Sequence, residues 1–282
     1  MRSTLRDTKS GSFHAAEHIE FVRNKGRNDA FRRAFEKLAP DRIVVDVGTG
    51  SGIMAIYAAL AGARQIIAIE KDERMAEIAK ANFERNGLDD RIKLIVGNAL
   101  EMTKDDLPHL NILVGELLST WCVVEPQVPV FKHLLGIDSG AITIPRRIVN
   151  YAEGVGASFG DKDGLVYIPT TYFEFRETHP KAEKLTSLVN ASEILFSKEQ
   201  ELDVRIQISL RALRTGTVNA LRLISITETC EGMRFNPQDD TMPKMIVPLP
   251  EEIPLVAHQQ ISLSIDYTYG AGWENFSIGR IN

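Results

Sequence analysis

The stretch from Val44 to Glu70, VVDVGTGSGIMAIYAALAGARQIIAIE, leaves the chain few ways to fold. It reads as a buried strand, a glycine turn, a helix and a second buried strand that ends on a carboxylate. Ile43 to Val47 is an apolar run interrupted by Asp46. Gly48, Gly50 and Gly52 lack a Cβ, so the backbone can turn sharply there and come close to a ligand. Ile53 to Ala61 has helical composition and Gly62 stops it. Gln65 to Ile69 is the second strand. Glu70 lies 18 residues past Gly52, about where a doubly wound fold places the acid that binds ribose hydroxyls. A dinucleotide fingerprint would need glycine at position 53, which is Ile53; the pattern here is DxGxGxG. An acid just ahead of the turn suits a ligand that carries an ammonium as well as a carboxylate.

Strand and helix patterns alternate from Arg42 to about Leu135, which signals a parallel sheet. Ile92 to Val96 and Asn111 to Val114 are its third and fourth strands, and Glu73 to Asn86 is a helix closed by Gly87. Upstream, His18 to Leu38 reads as one or two helices, with Phe21, Ala30, Phe31, Ala34 and Phe35 as an apolar stripe. Arg23, Lys25, Arg27, Arg32 and Arg33 form a basic face. After Pro145 the character changes. Ile148 to Ala157, Ser192 to Phe196, Val204 to Leu213, Val218 to Thr229 and Ile261 to Tyr269 look like strands, several with period-2 alternation. The expected fold is therefore an α/β Rossmann-like, doubly wound, mostly parallel domain followed by an antiparallel β-barrel-like domain. The expected divisions are a helical lid over residues 1–41, the Rossmann-like domain over 42–145 and the β domain over 146–282, with a cleft between the last two.

Composition bounds the class. The chain has 282 residues and a net charge of -5, which argues against broad nucleic-acid binding. No apolar run approaches the roughly 18 residues of a membrane span, and MRSTLRDTKSGSF has no apolar core for a signal peptide. With Cys122 and Cys230 the only cysteines and no CxxC pair, a reducing, cytoplasmic location is expected and a zinc site is not. His109, His133, His179 and His258 show no metal-ligand spacing, so no metal is expected.

The fourth strand runs into GELLSTWCVVEPQ, which holds Glu116 and, nine residues on, Glu125. Glu116 stands at the carboxyl edge of the sheet, where doubly wound folds place ligands. Glu125 precedes Pro126 and can sit just before a helix with proline at its first position. The intervening LLSTWCVV is apolar for a connection, which would follow if it lines a pocket; Trp121 is then either core or a pocket wall that stacks on a cation. Two carboxylates facing one apolar pocket persist if a cation lies between them or one holds a proton. A guanidinium fits: it is planar, permanently charged and offers its donors in a fork.

The glycine turn with its two flanking acids resembles the S-adenosylmethionine (SAM) site of class I methyltransferases, and the two-glutamate loop resembles that of the protein arginine N-methyltransferases. HIEFVRNKGR, from His18 to Arg27, is similar to the N-terminal lid helix of that family. GNALE, from Gly97 to Glu101, is similar to its adenine-contacting segment, and Ile144-Pro-Arg-Arg to its junction into the barrel. The resemblance covers roughly residues 13–150 at motif level. It implies SAM as cofactor, held by Arg27 (against the SAM carboxylate), Asp46, Gly48, Thr49, Gly50, Gly52, Glu70, Lys71, Asn98 and Ala99. It implies Glu116 and Glu125 as the catalytic pair. It implies methyl transfer to a guanidino or amino nitrogen on a protein or small-molecule acceptor, and a homodimer.

The chain also departs from that family. No tyrosine occurs before Tyr57, and only Phe13 lies upstream of His18, where the family's lid usually carries aromatic tyrosine-type residues. The family's Thr-His-Trp loop has Thr241-Met242-Pro243 as its nearest counterpart here, and the segment for a dimerisation arm, roughly Gly160 to Leu188, is short. Two alternatives therefore stand beside the first reading. One is an RNA methyltransferase, motivated by the basic helix from Arg23 to Arg33; the other is a SAM-binding subunit without catalysis.

Overall fold

The computed structural model describes residues 19, 21–107, 109–161, 163–174, 181–235 and 244–281. Phe13, His18 and the Thr241-Met242-Pro243 segment lie outside the described residues.

The N-terminal helical region is two pieces. A turn at Phe21 to Arg23 is separated by Asn24 from α1, Lys25–Leu38. Asn24 caps α1, its side-chain oxygen accepting from the Arg27 backbone N–H at 2.9 Å. Ala30, Phe31, Ala34 and Phe35 are buried along one stripe, each phenylalanine contributing on the order of 1.5–3 kcal/mol. Arg32 and Arg33 stay exposed, as the basic face requires. Arg27, expected on that face, is instead 2% exposed, because it lies where the first turn of α1 meets the sheet edge.

Five parallel strands follow: β1 (Ile43–Val47), β2 (Gln65–Glu70), β3 (Ile92–Val96), β4 (Ile112–Gly115) and β5 (Ile142–Ile144), in the order β3-β2-β1-β4-β5. Their crossovers contain α2 (Ile53–Leu60), α3 (Glu73–Arg85) and α4 (Gln127–Ile137). The register sets Val47 beside both Ile69 and Gly115, and Glu70 beside Val96. The carboxyl ends of the first four strands therefore open onto one edge. β5 falls within the stretch the sequence reads as a link; three residues are too few to show a period.

Beyond Pro145 every described strand pairing is antiparallel. β6 (Arg147–Gly156), β7 (Tyr172–Phe173), β8 (Glu183–Lys184), β9 (Val189–Leu195), β10 (Asp203–Arg211), β11 (Gly216–Cys230), β12 (Met233–Phe235), β13 (Met245–Leu255), β14 (Gln260–Thr268) and β15 (Ser277–Ile281) form two sheets. One has the order β7-β13-β11-β6-β8, with β12 on β11 and β9 on β6; the other is β10-β14-β15. β13 lies outside the strands expected from the sequence, and it carries Pro248, Pro250 and Pro254, none of which can donate to a ladder. It forms because β7 covers only Met245 and Ile246, so the prolines face no second described strand, and because a register shift near Ala220 absorbs the misfit.

The two halves share one core. A single buried cluster includes Phe31 of α1, Trp121, Leu221 of β11 and Tyr267 of β14. The Thr229 hydroxyl donates to the Ala30 carbonyl at 3.1 Å, and the Phe31 and Phe235 rings lie 6.0 Å apart. At the junction, Arg146 and Arg147 both pair with buried Glu228 of β11, at 3.1 and 2.9 Å. Deeper in the β half, Arg222 of β11 lies directly opposite Glu153 of β6 and bonds it at 2.6 Å. It also bonds Glu174 at 2.7 Å and the Ala182 carbonyl at 2.6 Å, while Lys184 takes the other oxygen of Glu153 at 2.8 Å.

Candidate active site

The glycine turn after β1 has left-handed φ at Gly48 (65°), Gly50 (56°) and Gly52 (84°), where a Cβ is disfavoured. Gly52 is also tight: an added Cβ would come within 2.4 Å of the Phe83 ring. Glu70, at the end of β2, braces the turn. One carboxylate oxygen accepts from the Gly50 N–H at 2.8 Å and the other from the Asp72 N–H at 3.0 Å. Each oxygen keeps a further lone pair for a ligand hydroxyl.

Asp46 is 1% exposed, and the Thr49 hydroxyl donates to it at 2.5 Å. Burial pushes the Asp46 carboxyl up to about 7 from an ordinary 3.8; the nearby Glu70 and Glu116 carboxylates add to the rise, while the Thr49 hydroxyl and the Ala55 backbone oppose it. Asn98 caps the short 3-10 turn Ala99–Glu101, accepting from the Leu100 N–H at 3.1 Å and donating to Glu101 at 3.2 Å. Lys71 follows Glu70 and is exposed.

Glu116 follows β4, its carboxylate bonded by Arg27 Nη1. Burial holds the Glu116 carboxyl above its ordinary range, and the Arg27 charge and hydrogen bond offset only part of that rise. The rest of the Arg27 guanidinium is also bound, Nη2 donating to the Phe21 carbonyl at 3.0 Å and Nε to Asn28 at 3.3 Å, with the Phe21 ring 5.4 Å away. The resemblance assigns Arg27 to the SAM carboxylate; its guanidinium also bonds a carboxylate of the protein, Glu116.

The loop that joins the two glutamates is clasped from inside. The Ser119 hydroxyl accepts from the Val124 and Glu125 N–H groups, both at 3.1 Å, and Gln127 accepts from the Leu117 N–H at 2.8 Å. Glu125 is buried, and α4 begins two residues later with Pro126 as its cap, not its first residue. The apolar character of LLSTWCVV has a different cause from pocket lining. Leu118, Trp121, Cys122 and Val123 are buried in the core shared with the β half. Trp121 is fully buried, its indole N–H directed at the Ile224 and Tyr151 carbonyls at 3.2 and 3.3 Å, so it is core and not a wall that stacks on a ligand. Trp121 and Cys122 both adopt left-handed φ, 58° and 53°, at a cost on the order of 1–3 kcal/mol each. The β-half partners of Trp121, namely Ser225 and Tyr267, carry no local signal in the sequence, because nothing local marks contacts made across more than a hundred residues.

The glycine turn, the acids at the ends of β1 and β2, and the two-glutamate loop over a parallel sheet are similar to the site of class I SAM-dependent methyltransferases, and among these the chain resembles the protein arginine N-methyltransferases. Residues 33–128 match the family Ribosomal protein L11 methyltransferase (PrmA). Protein arginine N-methyltransferase 7 of Mus musculus is 35% identical over 153 residues, which is 49% of this chain and 22% of that protein. The chain thus spans about a fifth of the length of such curated relatives. Protein MJ1452 of Methanocaldococcus jannaschii is 24% identical over 265 residues, covering 93% of this chain and 95% of its own. Among solved structures, the Trypanosoma brucei PRMT1 enzyme-prozyme heterotetrameric complex with AdoHcy superposes with a TM-score of 0.75 at 18% identity, covering 89% of this chain and 87% of that one. Among the described residues, no group of three His, Cys, Asp or Glu side chains could hold a metal, and no helix is long and apolar enough to cross a membrane.

Proposed function

We propose that this chain transfers the methyl group of SAM to a guanidino or amino nitrogen, with Glu116 and Glu125 holding the acceptor. One observation carries the reading: the Glu116 carboxylate, at the carboxyl edge of the sheet, binds the guanidinium of Arg27. The site's own geometry thus accepts the group an arginine-like acceptor would bring, and such an acceptor would compete with Arg27 for that carboxylate. When bound, SAM supplies a sulfonium-activated methyl. The chain aligns the nitrogen against it and keeps negative charge beside the acceptor as it loses its proton. Asp46 and the Gly48–Gly52 turn, with Thr49, would take the methionine part of SAM, Glu70 and Lys71 the ribose, and Asn98 with Ala99 the adenine edge. A site in which burial and neighbouring acids hold Asp46 up to about 7 favours a cation.

The test is transfer of radiolabelled methyl from SAM to a fractionated lysate, comparing the native chain with Glu116→Gln. Label in protein or a small guanidine, lost in the variant, supports the reading. Label in RNA would move it to the alternative motivated by exposed Arg23, Lys25, Arg32 and Arg33. SAM binding without transfer to any fraction would leave a non-catalytic subunit.

Two smaller results are expected. In the free protein Asp46 ionises near pH 7, whereas in the unfolded chain it ionises near 3.8. Folding is therefore weakened as pH rises from about 4 to 7, and binding of a cation to ionised Asp46 expels a proton below pH 7. SAM affinity should fall up to about tenfold per pH unit below 7, and calorimetry in two buffers of different ionisation enthalpy should detect the proton. Asp46→Asn should bind weakly with little pH dependence. Second, Leu165, Val166, Tyr167 and Ile168 are 52–83% exposed within the segment assigned to a dimerisation arm. We assign them to a contact between two copies, which sedimentation should detect and Leu165→Asp should weaken. The two free, buried cysteines accord with the proposed cytoplasmic location.

A further inference from the structure

The two-glutamate loop is held less by the sheet it leaves than by the β half. Trp121 lies midway between Glu116 and Glu125 with a left-handed backbone. Its amide N–H donates to the Ser225 hydroxyl at 2.8 Å. That hydroxyl donates onward to the Asn150 side-chain oxygen at 2.8 Å, and Asn150 donates to the Ser192 hydroxyl at 3.1 Å. Ser225 and Asn150 are directly opposed residues of β11 and β6. Trp121, Asn150 and Ser225 are each at most 2% exposed. Further ties converge on the same turn: the Tyr267 hydroxyl donates to the Trp121 carbonyl at 3.3 Å, and the Gly270 and Gly272 N–H groups donate to the Cys122 and Val123 carbonyls at 2.9 Å.

We propose that Ser225 is a positioning residue for methyl transfer: by accepting the Trp121 amide it holds the strained turn between the two glutamates and so sets where Glu116 and Glu125 point. This rests on reading the loop as the acceptor site. The physical argument is one of satisfaction. A buried amide that loses its acceptor must find another or stay unpaired. Trp121 can find one only by leaving its left-handed conformation, which is unfavourable for a non-glycine residue unless its surroundings impose it. The turn is linked to the catalytic end because Ser119, next to Thr120, accepts from the Glu125 N–H. A relaxed turn therefore moves Glu125. The Ser225 bond can be removed with little change in packing, since alanine keeps the Cβ.

The experiment compares Ser225→Ala and Ser225→Thr with the native chain in methyl-transfer kinetics and in SAM binding by calorimetry. Ser225→Ala should lower kcat about ten- to a hundredfold, the scale of a misplacement near 1 Å, with the SAM Kd within about twofold. Ser225→Thr, which keeps the hydroxyl, should recover most of kcat. Unchanged kcat in Ser225→Ala, an equal loss of SAM affinity, or no recovery with threonine overturns the proposal. If Ser225→Ala fails to fold, Ser225→Cys decides: its thiol keeps a near-native shape but is a weak acceptor for the Trp121 amide, and a native kcat there also overturns the proposal. A native chain that transfers no methyl refutes the functional reading itself; an active native chain matched by Ser225→Ala refutes only the role of Ser225.

Discussion

Glu116→Gln and Glu125→Gln are each expected to lower methyl transfer on the order of a thousandfold, about 4 kcal/mol of transition-state stabilisation, while leaving SAM affinity within about twofold. Glutamine preserves the shape and one acceptor oxygen of each side chain and removes the charge. A guanidinium held by two carboxylates loses a charge-assisted bond with either change and has one N–H facing an amide donor. The effect falls on turnover because the charge is needed most as the acceptor nitrogen loses its proton. Glu116→Gln carries a second consequence: Arg27, 2% exposed, loses its ionic partner. Glu116→Gln should therefore be less stable to heat than the native chain, on the scale of an unpaired buried charge. Initial rates at saturating SAM, with calorimetric SAM binding on the same samples, separate the two effects. Both variants retaining native turnover would sink the two-carboxylate mechanism.

The other large effect belongs to the fold. Arg222→Met is expected to cost about 3–5 kcal/mol, because it leaves the Glu153 and Glu174 carboxylates buried without their guanidinium. Heat denaturation should fall by on the order of 10 °C for a chain of this size. The triple change Arg222→Met, Glu153→Gln and Glu174→Gln should recover part of the loss, since neutral groups are cheaper to bury than unpaired charges. The same network predicts an acid limb. Burial alone would raise Glu153, but the Lys184 and Arg222 contacts more than reverse this and hold it below its ordinary 4.5. Its folded value lies below its unfolded one, so its stabilisation is present above about pH 4.5 and is lost as pH falls through the lowered value. Arg222→Met should flatten that limb; an unchanged melting temperature at neutral pH would refute the assignment.

How much of this was legible in the chain depends on the range of the interaction. The parallel half was readable because each unit is local: apolar strand, turn, amphipathic helix, with the first helix started at Gly52 and stops at Gly62 and Gly87. Period-2 alternation marked β10 and β14, whose one face is buried and whose other faces water. β7, β8 and β12 were too short to carry a period, and β13 carries three prolines that only its position beside β11 makes tolerable. In the candidate site, Asp46, Glu70, Glu116 and Glu125 could be singled out because each stands at the end of a strand or the start of a helix. The partner of Arg27 could not be, since it lies 89 residues away.

By itself the sequence determined the order of strands and turns, the glycine conformations after β1 and the residue types placed at the sheet edge, because these follow from local sterics and hydrophobic period. Tertiary structure decided the rest. It turned Trp121 from a potential ligand platform into an anchor, seated Arg27 on Glu116, and raised Asp46 to about 7. Burial, charge and hydrogen-bond satisfaction are properties of what surrounds a group, and most of what surrounds these groups arrives from distant parts of the chain.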